Sequence, residues 1–548
     1  MSRTRQLSAF AVICLCELLI VLDMTIINVA LPQIGLELRT SITGLQWVVD
    51  AYTLTFSGFL LAFGNLGDRY GRKRMLIGGI AGLGLSSVIG AVATDQAWVL
   101  VSRALMGVFA AAVLPATLAI ITAIFPDRKE KSLAIGIWSS IAGVAVAIGP
   151  ISGGWLLTHF SWHSVFWLNV PVAVLAVLAA TLIVPDSKAS SVGPLDWQGV
   201  VLSVAGISIG VFAIIEGPHY GWLSPITLVG FAVALVLLVL FVRRELTTES
   251  PVLDMRLFRI RPFALPALAI AVGYFSLFGF LFLITQYFQG VREYSPLAFG
   301  IATLPFAAAL AVSAPTATVL AQRVGTMPPL VLGLVLIGAG LLVGGQVTLD
   351  SSYLTLILPA MLLLAVGIAI IQGPATESIM SSVPADEAGA GSAVNDTTRE
   401  IGGTLGVAVI GSITSSYYLS HVKTLVDGIP AGLMSARDKE YARSSVLSVI
   451  GIRDREIPPM FESTREVLIA QIKQAALTGS AYASYVAAGA VFVCAIVVAA
   501  MLPRRYRTSG IIGDQVDVIE AEKADGTAES TPMTTDETAG AVHDGPDR

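Results

Sequence analysis

Apolar runs long enough to cross a bilayer, about 20 residues each, follow one another along nearly the whole chain. No water reaches the backbone inside lipid, so such runs must be helices or closed barrels. Barrel strands are short and alternate in polarity, whereas these runs are continuous. The sequence therefore predicts an all-α polytopic membrane protein. Composition agrees: 55% of the 548 residues are apolar and 13% are charged, where a soluble protein carries about 25% charged residues.

Runs bounded by charged or turn residues predict helices near 8–31, 44–65, 75–94, 97–121, 134–157 and 165–184. Two more fall near 198–216 and 225–242, and six near 263–284, 297–320, 327–346, 354–374, 392–419 and 480–502. The grouping is six, two and six. It predicts a bundle over 1–190, a peripheral two-helix insert over 191–245 and a second bundle over 246–505. Residues 506–548 form an acidic tail, and from Ser509 onward ten acids face only Lys523 and Arg548. With so little apolar surface to bury, the tail is expected to be disordered, with recruitment of a partner as the alternative reading.

Basic residues orient the bundle. Arg3 and Arg5, the cluster Arg69 to Arg74, Arg128 to Lys131, Arg243 to Arg261 and Arg504 to Arg507 all fall on one side if the helix count is even. That side is expected to be cytoplasmic, with both termini on it, in a multi-pass protein of the inner (cytoplasmic) cell membrane. The first apolar run is full length and is expected to stay as a spanning helix rather than be cleaved. Residues 420–479 make a long external loop, read as a cap, with a gate or partner surface as the alternative. Within it, Ser463 to Leu477 has the pattern of an amphipathic helix. Cys14, Cys16 and Cys494 lie in apolar runs without metal-ligand spacing and are read as packing residues. No metal, cofactor or nucleic-acid partner is expected, and the chain is expected to be a monomer and not an enzyme. No Gly-x-x-x-x-Gly-Lys-Ser/Thr loop offers ATP as the energy source.

Several constellations carry chemistry. Between the second and third helices stand Gly64, Gly67, Asp68, Arg69, Gly71 and Arg72. The glycines permit a tight turn, and Asp68 can exchange partners among the basic residues as helices move. In the fifth helix Gly143, Gly149, Pro150, Gly153 and Gly154 allow close helix contact and a bend. Acids inside membrane helices are costly and mark functional sites. Asp23 in the first helix, Asp50 in the second and Asp396 and Glu400 in the thirteenth qualify. Asp396 and Glu400 share a helix face. Arg399 lies beside them, so Glu400 is read either as functional or as a static partner of Arg399. Arg103 stands four residues before Gly107 in the fourth helix, with pairing to helix-end carbonyls as one reading. Glu216 and Glu377 sit near helix ends, where solvated acids are common.

The Gly64 to Arg74 loop resembles the signature of the major facilitator superfamily, in which its acid latches one conformation against the other half of the molecule. The Gly143 to Gly154 run is similar to the motif that marks drug:proton antiporters, and Arg103 with Gly107 resembles the family's Arg-x-x-x-Gly proton-coupling motif. Met106 stands where that motif carries Gln. Ser161 to Pro171, Leu195 to Gly199, Pro251 to Arg259, Tyr294 to Leu297 and Leu304-Pro305 look like landmarks of the fourteen-helix antiporters, over about residues 8–505. Ala321 to Gly325 echoes the first-half loop as a degenerate repeat would. The resemblance implies a major facilitator fold of two six-helix bundles with two inserted helices. It also implies proton-coupled efflux of hydrophobic, cationic drugs or antiseptics by alternating access, with acids at positions 396 and 400 serving proton coupling or cation recognition. Export of one metabolite or antibiotic, and a non-transporting receptor or scaffold, are the alternatives.

Overall fold

The computed structural model describes residues 3–125, 127–188, 195–248, 251–383, 388–429, 436–453 and 462–502, and the expected tail lies outside them. The first six helices are α1 (Arg3–Leu38), α2 (Ile42–Tyr70), α3 (Arg72–Ala91), α4 (Gln96–Ile124), α5 (Arg128–His159) and α6 (His163–Ile183). The inserted pair is α7 (Trp197–Tyr220) and α8 (Pro225–Thr247). Then come α9 (Arg261–Thr285), α10 (Pro296–Val324), α11 (Met327–Gly344), α12 (Leu358–Ser381) and α13 (Ala388–Asp427). Two short helices, α14 (Ala436–Ser444) and α15 (Ser448–Arg453), precede α16 (Glu462–Met501). Fourteen of these helices have 18 residues or more. Twelve have the length and hydropathy of a membrane span outright. The other two are α5 and α13; the α13 motif replaces apolar residues by charges and glycines.

One end of the molecule carries Arg69, Arg72, Lys73 and Arg74 after α2 and Arg256 and Arg259 before α9. This is the basic end. In the first group α1 packs on α5 and α6, α2 on α4, and α3 on α4 and α6. In the second, α9 packs on α12 and α13, α10 and α11 on α12, and α16 on α11 and α13. The two groups meet where α2 lies on α13 and α5 on α10. The expected peripheral insert is peripheral only for α8. Helix α7 lies on the seam, where Val211 and Ile215 form one apolar cluster with Leu54 of α2 and Ala408 of α13.

The connectors of the insert are held by ion pairs and caps. Asp196 accepts from the backbone N–H groups of Gln198 and Gly199 at 3.1 Å and from Arg244 Nε at 2.9 Å. Burial opposes its charge, but the Arg244 and backbone hydrogen bonds outweigh that and hold its carboxyl below the ordinary range. Glu245 accepts from the Leu253 N–H at 2.8 Å, tying the Pro251 to Arg259 segment to α8. Two of the family-like landmarks are therefore fastenings of the insert.

The stretch Ser463 to Leu477, expected as a separate amphipathic helix, is the beginning of α16. Gly479 does not break the helix. It lets α16 press on α13, where a Cβ would stand 2.9 Å from the Thr414 carbonyl oxygen. With 40 residues each, α13 and α16 are about 60 Å long, twice the thickness of a hydrocarbon core of about 30 Å. Their ends beyond the bilayer carry the cap. Tyr418 of α13 donates to the Ala442 carbonyl of α14 at 2.8 Å. Arg39, in the α1–α2 turn, pairs with Asp438 at 3.0 Å. Glu293, in the turn before α10, accepts from Lys473 at 2.6 Å and from Arg453. Both turn residues have left-handed backbones, with φ of 52° and 56°, a conformation that disfavours any side chain but is kept for the tight turn. Leu447, fully buried, wedges between Gly35 of α1 and Gly290 after α9. The cap thus closes the seam at the end opposite the basic one.

Candidate functional site

The sequence places Asp23 and Arg103 on helices eighty residues apart, and the fold joins them. Arg103 Nη1 donates to Asp23 Oδ2 at 2.7 Å, with both side chains 1% exposed. Asn169 of α6 donates to the other oxygen, Oδ1, at 2.7 Å. Arg103 Nε donates to the Val48 carbonyl at 3.0 Å, and its guanidinium lies 4.3 Å from the centre of the Tyr52 ring. Val48 is inside α2, so the carbonyl partner is not a helix end. Gly107 is required nearby because a Cβ would overlap Tyr52 O and Thr55 Oγ1. Every charge in this cluster has a partner.

Asp50 differs. It is fully buried, accepts only from Thr53 Oγ1 at 3.4 Å, and its Oδ2 has no hydrogen-bond partner. No cation pairs with it among the described residues. Thr53 also receives the Thr404 hydroxyl of α13 at 2.9 Å, so Asp50 stands next to a hydrogen bond across the seam. Farther toward the capped end, Gln46 donates to the Ala408 carbonyl at 3.0 Å.

On α13, Arg399 pairs with Asp396 at 3.2 Å and lies 4.9 Å from the Tyr274 ring centre. Asn395 donates to the same carboxylate at 3.2 Å. Glu400 is not the partner of Arg399, and its Oε2 is buried without a hydrogen bond. The static pair considered for Glu400 is formed by Asp396 instead, because three residues along the helix bring Arg399 back over Asp396. Glu17 of α1, which the motif reading passed over, is 3% exposed and within electrostatic range of Asp396, Arg399 and Glu400. Its signal was available: an acid inside the first apolar run. Glu216 accepts from Trp47 Nε1 at 3.0 Å, and Glu377 is exposed.

The glycine helix α5 packs between α1 and α10. Gly149 and Gly153 face Thr25 and Ile26 of α1, whereas Gly154 faces α10, where a Cβ would stand 2.6 Å from the Pro296 carbonyl oxygen. Pro150 backbone abuts Gly300 of α10. Gly143 lies one to two turns nearer the basic end. Beneath these contacts is a cavity of about 30 Å³ walled by Val29, Pro150, Phe280, Phe299, Phe306 and Met361. At the basic end the Asp68 and Arg72 contacts among the described residues stay within one half. Asp68 accepts from Arg72 Nε at 2.7 Å, and Arg72 Nη1 donates to the Ala119 carbonyl at 3.2 Å. Gly71 joins α2 to α3 with φ of 113°, a value open to glycine. Gly64 faces Pro115, Gly67 faces Met75, and Arg69 lies over the Tyr70 ring.

A family model described as Major Facilitator Superfamily matches residues 13–407. The multidrug efflux pump LfrA of Mycolicibacterium smegmatis is 38% identical over 78% of this chain and 84% of its own. The puromycin resistance protein pur8 of Streptomyces alboniger is 34% identical over 76% of this chain and 84% of its own. The methyl viologen resistance protein SmvA of Salmonella typhimurium is 32% identical over 80% of this chain and 87% of its own. Among solved structures, a bacterial homologue of the human lysosomal transporter Spinster, inward-facing and unoccupied, superposes with a TM-score of 0.61. That similarity covers 92% of this chain and all of the other at 17% identity, and it concerns the fold.

Proposed function

This chain belongs to the major facilitator superfamily, a multi-pass family of the cell membrane, and on that premise we propose that it is a proton-coupled exporter of hydrophobic organic cations. The observation that carries the reading is the division of labour among its buried acids. Asp23 is compensated by Arg103 and Asn169 and serves as a charged strut. Asp50 has no cation and one unpartnered oxygen. An ionised carboxylate there would be an uncompensated buried charge, so Asp50 is the acid we assign to carry the proton. The α13 acids, with Tyr274 and Arg399 around them, recognise the cation.

The basic end is taken as cytoplasmic, with both termini there and one chain as the working unit. In this state the halves are joined at the external end by α5 against α10, by α2 against α13 and by the cap. At the cytoplasmic end Asp68 pairs within its own half. The state is inward-facing, with the Asp68 latch disengaged. Drug enters from the inside, the external seam opens, and a proton arriving from outside accompanies release. The multidrug, puromycin and methyl viologen resistance of the relatives favours hydrophobic and cationic substrates.

Purified protein in liposomes tests this. An imposed pH gradient is expected to drive tetraphenylphosphonium across the membrane, and collapse of the gradient with a protonophore is expected to stop it. Transport indifferent to the gradient overturns proton coupling.

A further inference from the structure

Helix α8 packs mainly on α7 and is exposed over most of its surface. Val229, Val233, Val236 and Leu240 are between 40% and 59% exposed and recur every three or four residues, so they share one helix face. Arg243, also exposed, comes three residues after Leu240 and ends the same stripe. The rise from Val233 to Arg243 is about 15 Å, half of a hydrocarbon core of about 30 Å. The stripe thus matches the acyl layer of one leaflet. The fold brings a second basic segment to its foot. Glu245 accepts from the Leu253 N–H at 2.8 Å, and Arg256 Nη2 donates to the Leu246 carbonyl at 3.4 Å. The short 3₁₀ helix Met255–Arg259 therefore lies against the last turn of α8. Side chains three apart eclipse in such a helix, which sets Arg259 on the same side as Arg256, and Arg261 follows at the start of α9. Arg244 is committed to Asp196, and Asp254 accepts from the Arg256 N–H at 2.9 Å. Arg243, Arg259 and Arg261 are exposed and have no side-chain partner among the described residues. Trp197, next to Asp196 and 55% exposed, stands at the same foot, and indole rings gather at the headgroup level of a membrane.

We propose that the foot of α8 and the segment after it form a binding surface for an anionic phospholipid, with its phosphate among Arg243, Arg259 and Arg261 and an acyl chain along the α8 stripe. A basic helix end by itself only orients a membrane protein and names no ligand. Here two separate segments are fastened together so that their unpaired guanidinium groups gather where a bare apolar stripe ends. A guanidinium fork matches the two free oxygens of a phosphodiester. A zwitterionic headgroup brings its own cation to the phosphate and gains less from the three arginines. A lipid held at this point ties the outer helix of the insert to the connector that leads into the second bundle.

The test uses the full-length purified protein, native mass spectrometry and three probes: dioleoyl phosphatidylglycerol, dioleoyl phosphatidylcholine and glycerol phosphate. The unaltered protein is expected to retain phosphatidylglycerol in preference to phosphatidylcholine. Arg243→Gln combined with Arg259→Gln is expected to weaken that retention by about tenfold. Arg69→Gln combined with Arg74→Gln removes the same charge at the same end of the molecule and is expected to leave it unchanged. Equal retention of the two lipids, or equal losses in the two double variants, overturns the site and leaves the arginines as markers of orientation. Glycerol phosphate competing as well as the lipid also overturns it, because the stripe then contributes nothing. Should the Arg243 and Arg259 variant fail to fold, a phosphatidylglycerol with a photoreactive acyl chain decides the matter on the unaltered protein. The α8 peptide is expected to be labelled, and phosphatidylglycerol but not phosphatidylcholine is expected to displace the label. No labelling of α8, or displacement by both lipids alike, overturns the inference.

Discussion

Asp23 and Asp50 are the same side chain on neighbouring helices, and only their surroundings separate them. Asp23 has two nitrogen donors at 2.7 Å, and Asp50 has a weak hydroxyl contact and a bare oxygen. Asp50→Asn is therefore expected to abolish uphill export of every substrate while tetraphenylphosphonium binding stays within about threefold, measured in liposomes and by equilibrium binding. Normal uphill export by this variant removes Asp50 from the coupling path. Arg103 should behave differently, since removing it strands the Asp23 charge. Arg103→Ala is expected to cost about 3–5 kcal/mol of stability, and the double change Asp23→Asn with Arg103→Met much less. Thermal unfolding in detergent reads the difference, and equal losses would make the ion pair incidental. The intramembrane acids were legible as such in the sequence. Their pairing was not, because Asp23, Arg103 and Asn169 are brought together by three helices far apart in the chain.

Among the elements, α5, the loop after α2 and the cap are the ones we propose to govern how the halves move. Gly154 and Gly300 let α5 and α10 touch backbone to backbone. Gly154→Leu is expected to hold the external seam open and stop transport without lowering expression, checked by labelling of a cysteine placed at Val29. A seam that still closes would show that the contact has slack. Cysteines replacing Arg39 and Asp438 are expected to form a disulfide that arrests export until reductant is added, because the cap must leave the seam for the external end to open. Export unaffected by the cross-link would make the cap a passive cover. Asp68→Asn is expected to slow transport and spare binding, as the Asp68–Arg72 pair must break for the latch to engage. The loop motif and the glycine helix were readable from residue type and spacing. The amphipathic start of α16, expected as a separate helix, is continuous with its membrane part, and Gly479 between them packs on α13.

For the whole molecule, topology is the property most exposed to a single experiment. A cysteine at Glu440, exposed on the cap, is expected to label from outside intact cells, and one at the exposed Lys188 only after permeabilisation. The reverse result would invert the bundle. What the sequence determined by itself follows from local terms: lipid admits only long apolar helices, basic residues gather on one side, and glycine and proline mark turns and close contacts. These fix fourteen helices, their grouping and the family-like loops. Only the tertiary structure decided that α7 lies on the seam, that Leu447 closes it, and that Arg399 turns to Asp396 rather than Glu400. Each of these depends on which distant helix supplies the neighbouring surface, and a pairing between remote segments leaves no periodicity in either of them.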